Sequence, residues 1–506
     1  MKIEPNISSS ETITLSLEEY NSLVEEQKRK DQKLAYLRNE IAQLKRMIFG
    51  SKSERFKKET DDKQLSIFED EAAKAPSKPQ EEEVAYTRKK PEKSKRRGHA
   101  RPKIAAHIPR HEEHIEPKED ITGARKIGEE ITEVLEYTPG NLYVRKYIRA
   151  KYADAEGEGV VIGSLPSLPI PHGNAGPGLL AHMHVSKFVD HLPVHRQLKM
   201  LGRSGVEIAE STANDWQNSI AKLLTPLYDK LIAEVVSQDY LMADETPIPV
   251  LSQNKPGSTH KGYHWVYFSP ETNLVVFDYH HSREQKAPET FLKNFSGALQ
   301  TDGYIGYNSF TKKHGIVMLA CMAHARRYFE HALDDDPDRA GYALEKIKDL
   351  YQVEREASPP GEKISPDKRK KLRQEKAIPI LDELEEWMKK EIMQTLPQSN
   401  MGKALSYALG LWDRLRRYVD DGRWEIDNNL VENSIRPLAL GRKNYMFAGS
   451  HRGARRAAMF YSFFGSCQKI GINPYTWLKD VLERIPEHKA NKLHELLPHN
   501  WINTKA

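Results

Sequence analysis

The sequence predicts a multidomain α+β protein: a mixed-sheet core interrupted by an all-helical insertion, preceded by a coiled coil, a small extended module and a helical block. Three observations carry this. The chain, at 506 residues, exceeds what one hydrophobic core usually organises. Its apolar period switches from helical to strand-like at Tyr240 and back to helical after Leu333, which places a sheet between helical segments. Finally, residues 57–97 mix charge runs with Pro and Ser and have almost no apolar periodicity, as expected of a linker.

Composition narrows the function classes. Cys321 and Cys467 are the only cysteines, which excludes a disulfide framework and a four-cysteine zinc site and fits the reducing cytoplasm. The first ten residues are polar and no stretch approaches the roughly 20 apolar residues that span a bilayer, so a soluble protein with no membrane partner is expected. The net charge of +5 is small for this length, and local basic clusters must carry any argument for nucleic acid.

In chain order, residues 15–55 are expected to form a coiled coil. Leu34, Leu37, Ile41, Leu44 and Ile48 recur at spacings of three and four, the seam of a helix that pairs with a second copy or docks on its own chain. Residues 56–97 are the flexible charged linker. It runs into a basic patch containing Arg96, Arg97 and Lys103, which reads either as a phosphate or minor-groove contact or as a solvated linker. Residues 98–165 form the small extended module, with alternation between Leu142 and Tyr152.

Residues 166–236 form the helical block. Within it Gly205 marks a break and Ser211 or Thr212 can cap the next helix; this is a helix-turn-helix for DNA or a helical hairpin with Trp216 buried. Residues 237–330 and 421–470 supply the sheet core, with strands running into Asp244 and Asp302. Residues 331–420 supply the helical insertion, whose apolar stripes include Ala343, Ile347 and Leu350, then Leu381, Leu384 and Met388. Residues 471–506 are a C-terminal tail.

The chemistry is expected from carboxylates. Asp244 in Leu-Met-Ala-Asp-Glu-Thr-Pro and Asp302 in Leu-Gln-Thr-Asp-Gly-Tyr each close an apolar run. Either alone reads as a turn residue. On adjacent strands, the pair can reach one hard cation, which takes oxygen ligands and keeps positions open for water or a substrate phosphate. A third carboxylate is expected from Glu432, which follows the helix start Asp427-Asn-Asn429 and lies i,i+4 from Arg436. A plain surface ion pair would explain that spacing too. It would not explain Arg436, Arg442, Lys443, Arg452, Arg455 and Arg456 crowded near Glu432, with Tyr445 and Phe447 among them, a composition suited to a phosphodiester backbone and unpaired bases. In Cys321-Met-Ala-His-Ala-Arg-Arg327, one Cys and one His cannot make a structural zinc site. His324 and Arg327 are accessory candidates, His324 equally a structural histidine, and Asn428 is a third.

Taken together, residues 191–196, Ala243-Asp-Glu-Thr246, Gln300-Thr-Asp-Gly-Tyr304, residues 321–327, Asp427-Asn-Asn-Leu-Val-Glu432 and Leu438-Ala-Leu-Gly-Arg-Lys-Asn444 resemble transposases of the insertion-sequence-66 family. Phe49-Gly-Ser-Lys-Ser-Glu54 and Leu496-Leu-Pro-His-Asn-Trp501 extend the collinear match over nearly the whole chain. The resemblance implies a ribonuclease-H-like core of the DDE type, with Asp244, Asp302 and Glu432 as the catalytic and metal-binding triad. It also implies a helical insertion in the 130 positions between Asp302 and Glu432 (432 minus 302). Family members typically carry a zinc-binding module before the helical block. Here residues 111–152 keep its flanking pattern, including Ile127-Gly-Glu-Glu130, without a cysteine, so a degenerate zinc-ribbon-like module with no structural zinc is expected.

The function expected is that of a DNA transposase in the cytoplasm, associated with the nucleoid. Two Mg²⁺ or Mn²⁺ ions about 4 Å apart would activate the attacking oxygen and stabilise the leaving one. Arg436, Arg442, Lys443, Arg452, Arg455, Arg96, Arg97 and Lys103 would contact DNA. The partners expected are terminal-repeat and target duplexes, a second or further copy of the chain, and small accessory proteins. The alternatives are a catalytically inactive DNA-binding regulator or assembly protein on the same core, and a structure-specific nuclease that cuts without joining.

Overall fold

A computed structural model describes residues 166–501, except 172, 253–256 and 358–363, together with 140, 142–148, 151–153, 160–162 and the helical positions 27, 30 and 33. Apart from those three positions, the expected coiled coil lies outside the described residues, as do the linker and the patch holding Arg96, Arg97 and Lys103. The chain divides into two compact units, one of them Ser53–Leu165. In that unit, β1 (Lys151–Ala153) and β2 (Val160–Ile162) form a short antiparallel ladder. Residues 142–148 have no regular structure and are exposed, so among the described residues of the expected alternation only Lys151 and Tyr152 lie in a strand.

The other unit, Met1–Lys52 with Pro166–Ala506, holds helices α1 (Pro177–Phe188), α2 (Val194–Arg203) and α3 (Glu210–Val236). Pro177 stands at the start of α1, where its missing N–H costs nothing. The break at Gly205 has the positive φ of +79° that glycine tolerates best. Helix α3 starts at Glu210, so Ser211 and Thr212 stand inside its first turn instead of capping it. Trp216 is buried, and Leu224, Leu227, Leu231 and Val235 form its core-facing stripe.

Five strands follow in the spatial order β5-β4-β3-β6-β7. Strands β3 (Tyr240–Leu251), β4 (Thr259–Ser269) and β5 (Leu274–His280) make an antiparallel meander. After the short helix α4 (Lys286–Phe291), β6 (Gly297–Thr301) and β7 (Ile316–Ala320) add parallel to β3. A mixed five-stranded sheet of this order, flanked by helices, is consistent with a ribonuclease-H-like core.

Strand β3 outruns its parallel neighbour. Its ladder to β6 holds only Tyr240, Leu241 and Met242, while its ladder to β4 continues to Leu251. Beyond Met242 one edge of β3 is therefore open, and there the sequence places Pro247 and Pro249. Proline has no N–H to leave unpaired at such an edge. The carbonyls left are answered from elsewhere: Arg442 donates to that of Pro247, and Ala448 N donates to that of Pro249 at 2.9 Å.

After β7 come α5 (Met322–Ala332) and then the insertion: α6 (Pro337–Ala357), α7 (Pro366–Ile392), α8 (Asn400–Gly410) and the single turn α9 (Trp412–Leu415). Ion pairs Arg339–Glu391 and Arg373–Glu354 join opposite ends of α6 and α7, so the two helices run antiparallel. Arg373 is fully buried, and it also donates to the carbonyls of Tyr418 and Asp421, each at 2.9 Å. Arg369 bridges Glu354 and Glu425, tying the insertion to the segment that re-enters the core.

Helix α10 (Asn429–Tyr445) buries Val431, Ile435 and Leu438. Helix α11 (His451–Lys469) lies along the edge strand β5, where the Ser462 and Ser466 hydroxyls accept from Phe277 N at 2.8 Å and Val275 N at 3.0 Å. Phe460 of α11 stacks on Phe188 of α1 at 5.1 Å between ring centroids. The segment expected as a tail contains α12 (Pro474–Arg484), sealed by Trp477 Nε1 donating to Leu496 O and Trp501 Nε1 to Asp480. Among the described residues, no helix is long and apolar enough to cross a membrane.

Candidate metal centre

The two aspartates are brought together by register. Met242 pairs with Gln300 in the parallel ladder, and two further residues along each strand stand Asp244 and Asp302, on the same level just where β6 has stopped. The expectation that Asp244 ends a strand is therefore corrected: β3 continues past it, and it is the neighbouring strand that ends. Gly303, with φ +89°, turns the chain away behind Asp302. A Cβ there would come within 2.5 Å of Leu411 Cδ1, so glycine serves both the backbone angle and the close approach.

Ligand oxygens of Asp244, Glu245 and Asp302 lie within 4.8 Å of one another. Burial, then the negative charges of Glu245 and Asp302, push the Asp244 carboxyl well above its ordinary range. Glu245 is likewise pushed up by burial and by Asp302, against the pull of Arg283. Three mutually repelling carboxylates facing one point are what a cation would relieve. The donors are all hard oxygens, which suits Mg²⁺ or Mn²⁺ and not a thiolate-seeking ion.

Each carboxylate is held from behind. Asp244 Oδ1 accepts from Glu245 N at 2.7 Å, and Asp302 Oδ1 from Tyr304 N at 2.8 Å. The Tyr407 hydroxyl of α8 donates to the Asp302 carbonyl at 2.5 Å, so the insertion helps to fix the second aspartate. Glu245 Oε1 accepts from Arg283 Nε at 2.7 Å, and the Tyr307 hydroxyl donates to its Oε2 at 3.4 Å.

The start of α10 is anchored on the same strands. Asn428, buried, donates Nδ2 to the carbonyl of Ala243 at 3.1 Å, and its own N–H points to Cys321 Sγ at 3.2 Å. Asp427 accepts from Asn429 N and from the Tyr351 hydroxyl. One turn on, Glu432 contributes to the negative field at Asp244 and its Oε1 lies 3.8 Å from His324 Nε2 on α5. Glu432 thus stands close to the pair of aspartates without belonging to their tight cluster. Burial lowers the His324 pKa while the charge of Glu432 opposes the shift. Arg327, one turn along α5, is exposed.

The basic residues divide. Arg436, Lys443, Arg452 and Arg455 are exposed. Arg442 is half-buried and turned inward, its guanidinium donating to Thr246 Oγ1 at 2.9 Å. Sequence reasoning missed Glu245, Arg283, Tyr307 and Tyr407. For Glu245 the alternation of strand faces argued against it; Tyr307, only five positions after Asp302, and Arg283 and Tyr407, much farther from either aspartate, carry no motif to mark them.

Residues 172–456 match the transposase IS66 family, residues 462–499 the IS66 C-terminal element, and residues 36–112 a family described as transposase C of IS166 homeodomain. Three curated relatives from Sinorhizobium fredii (strain NBRC 101917 / NGR234) are similar over nearly their whole lengths. Uncharacterized protein y4jD is 33% identical, covering 92% of this chain and 94% of its own. Uncharacterized proteins y4hP and y4qI are each 32% identical, covering 92% and 94% of this chain and 88% and 90% of their own. No solved structure matches the chain.

Proposed function

The chain belongs to the IS66 transposase family, and from that premise we propose that it cuts and joins DNA strands at a ribonuclease-H-like centre, with Asp244, Asp302 and Glu432 as the catalytic, metal-binding triad. The observation that carries this reading is the approach of Asp244 and Asp302 to within reach of one cation just beyond the β3–β6 ladder. Asp244 and Asp302, with Glu245 beside them, would hold the divalent cation, Mg²⁺ or Mn²⁺, and Glu432, carried near them by the first turn of α10, would complete its ligands. A bound cation supplies Lewis acidity toward phosphorus and lowers the pKa of water.

The chain's own residues do the rest. Tyr304 N, Tyr407 and Asn428 keep the carboxylates and the α10 start from drifting. His324, whose charged form burial disfavours, can accept a hydrogen bond next to Glu432. Arg436, Lys443, Arg452, Arg455 and Arg327 offer exposed cations for phosphates, whereas Arg442 supports the strand that carries Asp244. The helical block, the basic patch and the cysteine-free module would read the element ends. The N-terminal coiled coil would pair two protomers so that both ends react, with small accessory proteins as further partners.

The test is cleavage and joining of duplex DNA carrying the element's end, in Mg²⁺ or in chelator. Asp244→Asn and Glu432→Gln are expected to keep DNA binding and lose both steps. Cleavage by either variant at the wild-type rate would overturn the triad. Wild-type binding without any cutting would identify a DNA-binding regulator instead.

A further inference from the structure

Glu245 is the carboxylate of the centre that the triad leaves over. Its side chain is 2% exposed, and two guanidinium nitrogens of Arg283 converge on its Oε1. Arg283 itself is 42% exposed. It lies 3.7 Å over the ring of Tyr304, whose hydroxyl donates to the Arg283 carbonyl at 2.9 Å and whose N–H donates to Asp302 Oδ1 at 2.8 Å. A buried acid is thus neutralised by a cation that reaches it from the surface, braced on the residue that follows the second aspartate by two.

The same acid has a second claimant. An oxygen of Glu245 lies within 4.8 Å of ligand oxygens of both Asp244 and Asp302, so a divalent ion at the two aspartates and the guanidinium of Arg283 stand within reach of one carboxylate. Affinity for a hard cation rises with the number of charged oxygens offered to it. Arginine, for its part, binds phosphate as readily as carboxylate, with the same planar geometry.

Resting on the proposed reading of the centre as one that binds a divalent ion and DNA, we infer that Arg283 competes with the metal ion for Glu245. A DNA phosphate that engages Arg283 then frees Glu245 for the ion. DNA thereby raises metal affinity, and by linkage the metal raises affinity for DNA by the same factor. The ion is retained most firmly when there is a strand to cut.

The experiment is titration of the full-length protein with Mn²⁺, reading the free ion by electron paramagnetic resonance, with and without duplex DNA. Without DNA, Arg283→Gln is expected to bind Mn²⁺ about tenfold more tightly than wild type, within the usual range for coupled sites. Arg283→Lys, which keeps a charge but not the fork, should gain less, and adding Glu245→Gln to Arg283→Gln should remove the gain. DNA should tighten Mn²⁺ binding in wild type by more than in Arg283→Gln. If Arg283 were only a brace, its loss would loosen the centre, so weaker or unchanged binding by both Arg283 variants, with melting in chelator unaltered, overturns the inference alone. If wild type binds no Mn²⁺ with or without DNA, the metal reading of the centre falls and takes this inference with it.

Discussion

His264 stands opposite Thr246 on β4, fully buried, with no hydrogen-bond partner on either ring nitrogen. Burial, helped by the charge of Arg442, lowers its pKa to about 3, whereas the unfolded chain takes up that proton near 6.5. The stability it permits is therefore whole above about pH 6.5 and is lost as pH falls toward 3. By pH 5 the loss should reach roughly 2 kcal/mol. Urea unfolding at pH 7 and pH 5 should show His264→Phe losing less than wild type by about that amount; parallel losses would refute the assignment. A second residue tests the geometry of the centre. Gly303→Ala forces a side chain into a positive-φ turn against Leu411, and a displacement of Asp302 of that kind should slow cleavage by about a hundredfold, while DNA affinity stays unchanged. Of the residues around this centre, Asp244 and Asp302 were legible because apolar runs lead straight into them. Glu245 was not, because neighbours in a strand should face opposite ways, yet its ligand oxygen lies within 4.8 Å of those of Asp244 and Asp302.

At the scale of elements, the insertion is held to the core by charge in addition to apolar packing. Burial raises the Glu354 carboxyl, but Arg373 and Arg369 outweigh it and bring the pKa below the ordinary value. Removing Arg373 leaves that buried acid with Arg369 as its remaining cation and strips the carbonyls of Tyr418 and Asp421 of their donor, so Arg373→Ala should destabilise the protein by about 3–5 kcal/mol. Replacing Arg373 and Glu354 together by Met and Leu should cost much less; equal losses in thermal melts would show that the pair is incidental. The helices α6 to α8 were readable from their stripes, and the sheet from the change of period. The network was not, since Glu354, Arg369 and Arg373 look like ordinary solvated charges until the fold closes over them. The length of β3 was misjudged for a related reason: Pro247 and Pro249 argue against a strand, and only the early end of β6 makes room for them.

For the molecule as a whole, the proposed metal site would link metal binding to folding. Burial, and then repulsion from Glu245 and Asp302, disfavour the Asp244 carboxylate and so destabilise the metal-free protein, and a cation binding the folded state alone would add about 2.7 kcal/mol at a hundredfold excess over Kd. Asp244→Asn should therefore be more stable than wild type in chelator and gain less from Mg²⁺. A variant that responds to Mg²⁺ like wild type would place the ion elsewhere. Helix α11 has a consequence at this same scale. An exposed edge strand offers its backbone to any passing strand, yet at β5 the hydroxyls of Ser462 and Ser466 already take the N–H groups of Phe277 and Val275. Two copies cannot merge their sheets through β5 into one continuous ladder. On the proposed reading, protomers brought together on DNA would meet through other surfaces, the expected coiled coil among them, and could part again once the strands have been exchanged without unpicking a sheet shared through β5.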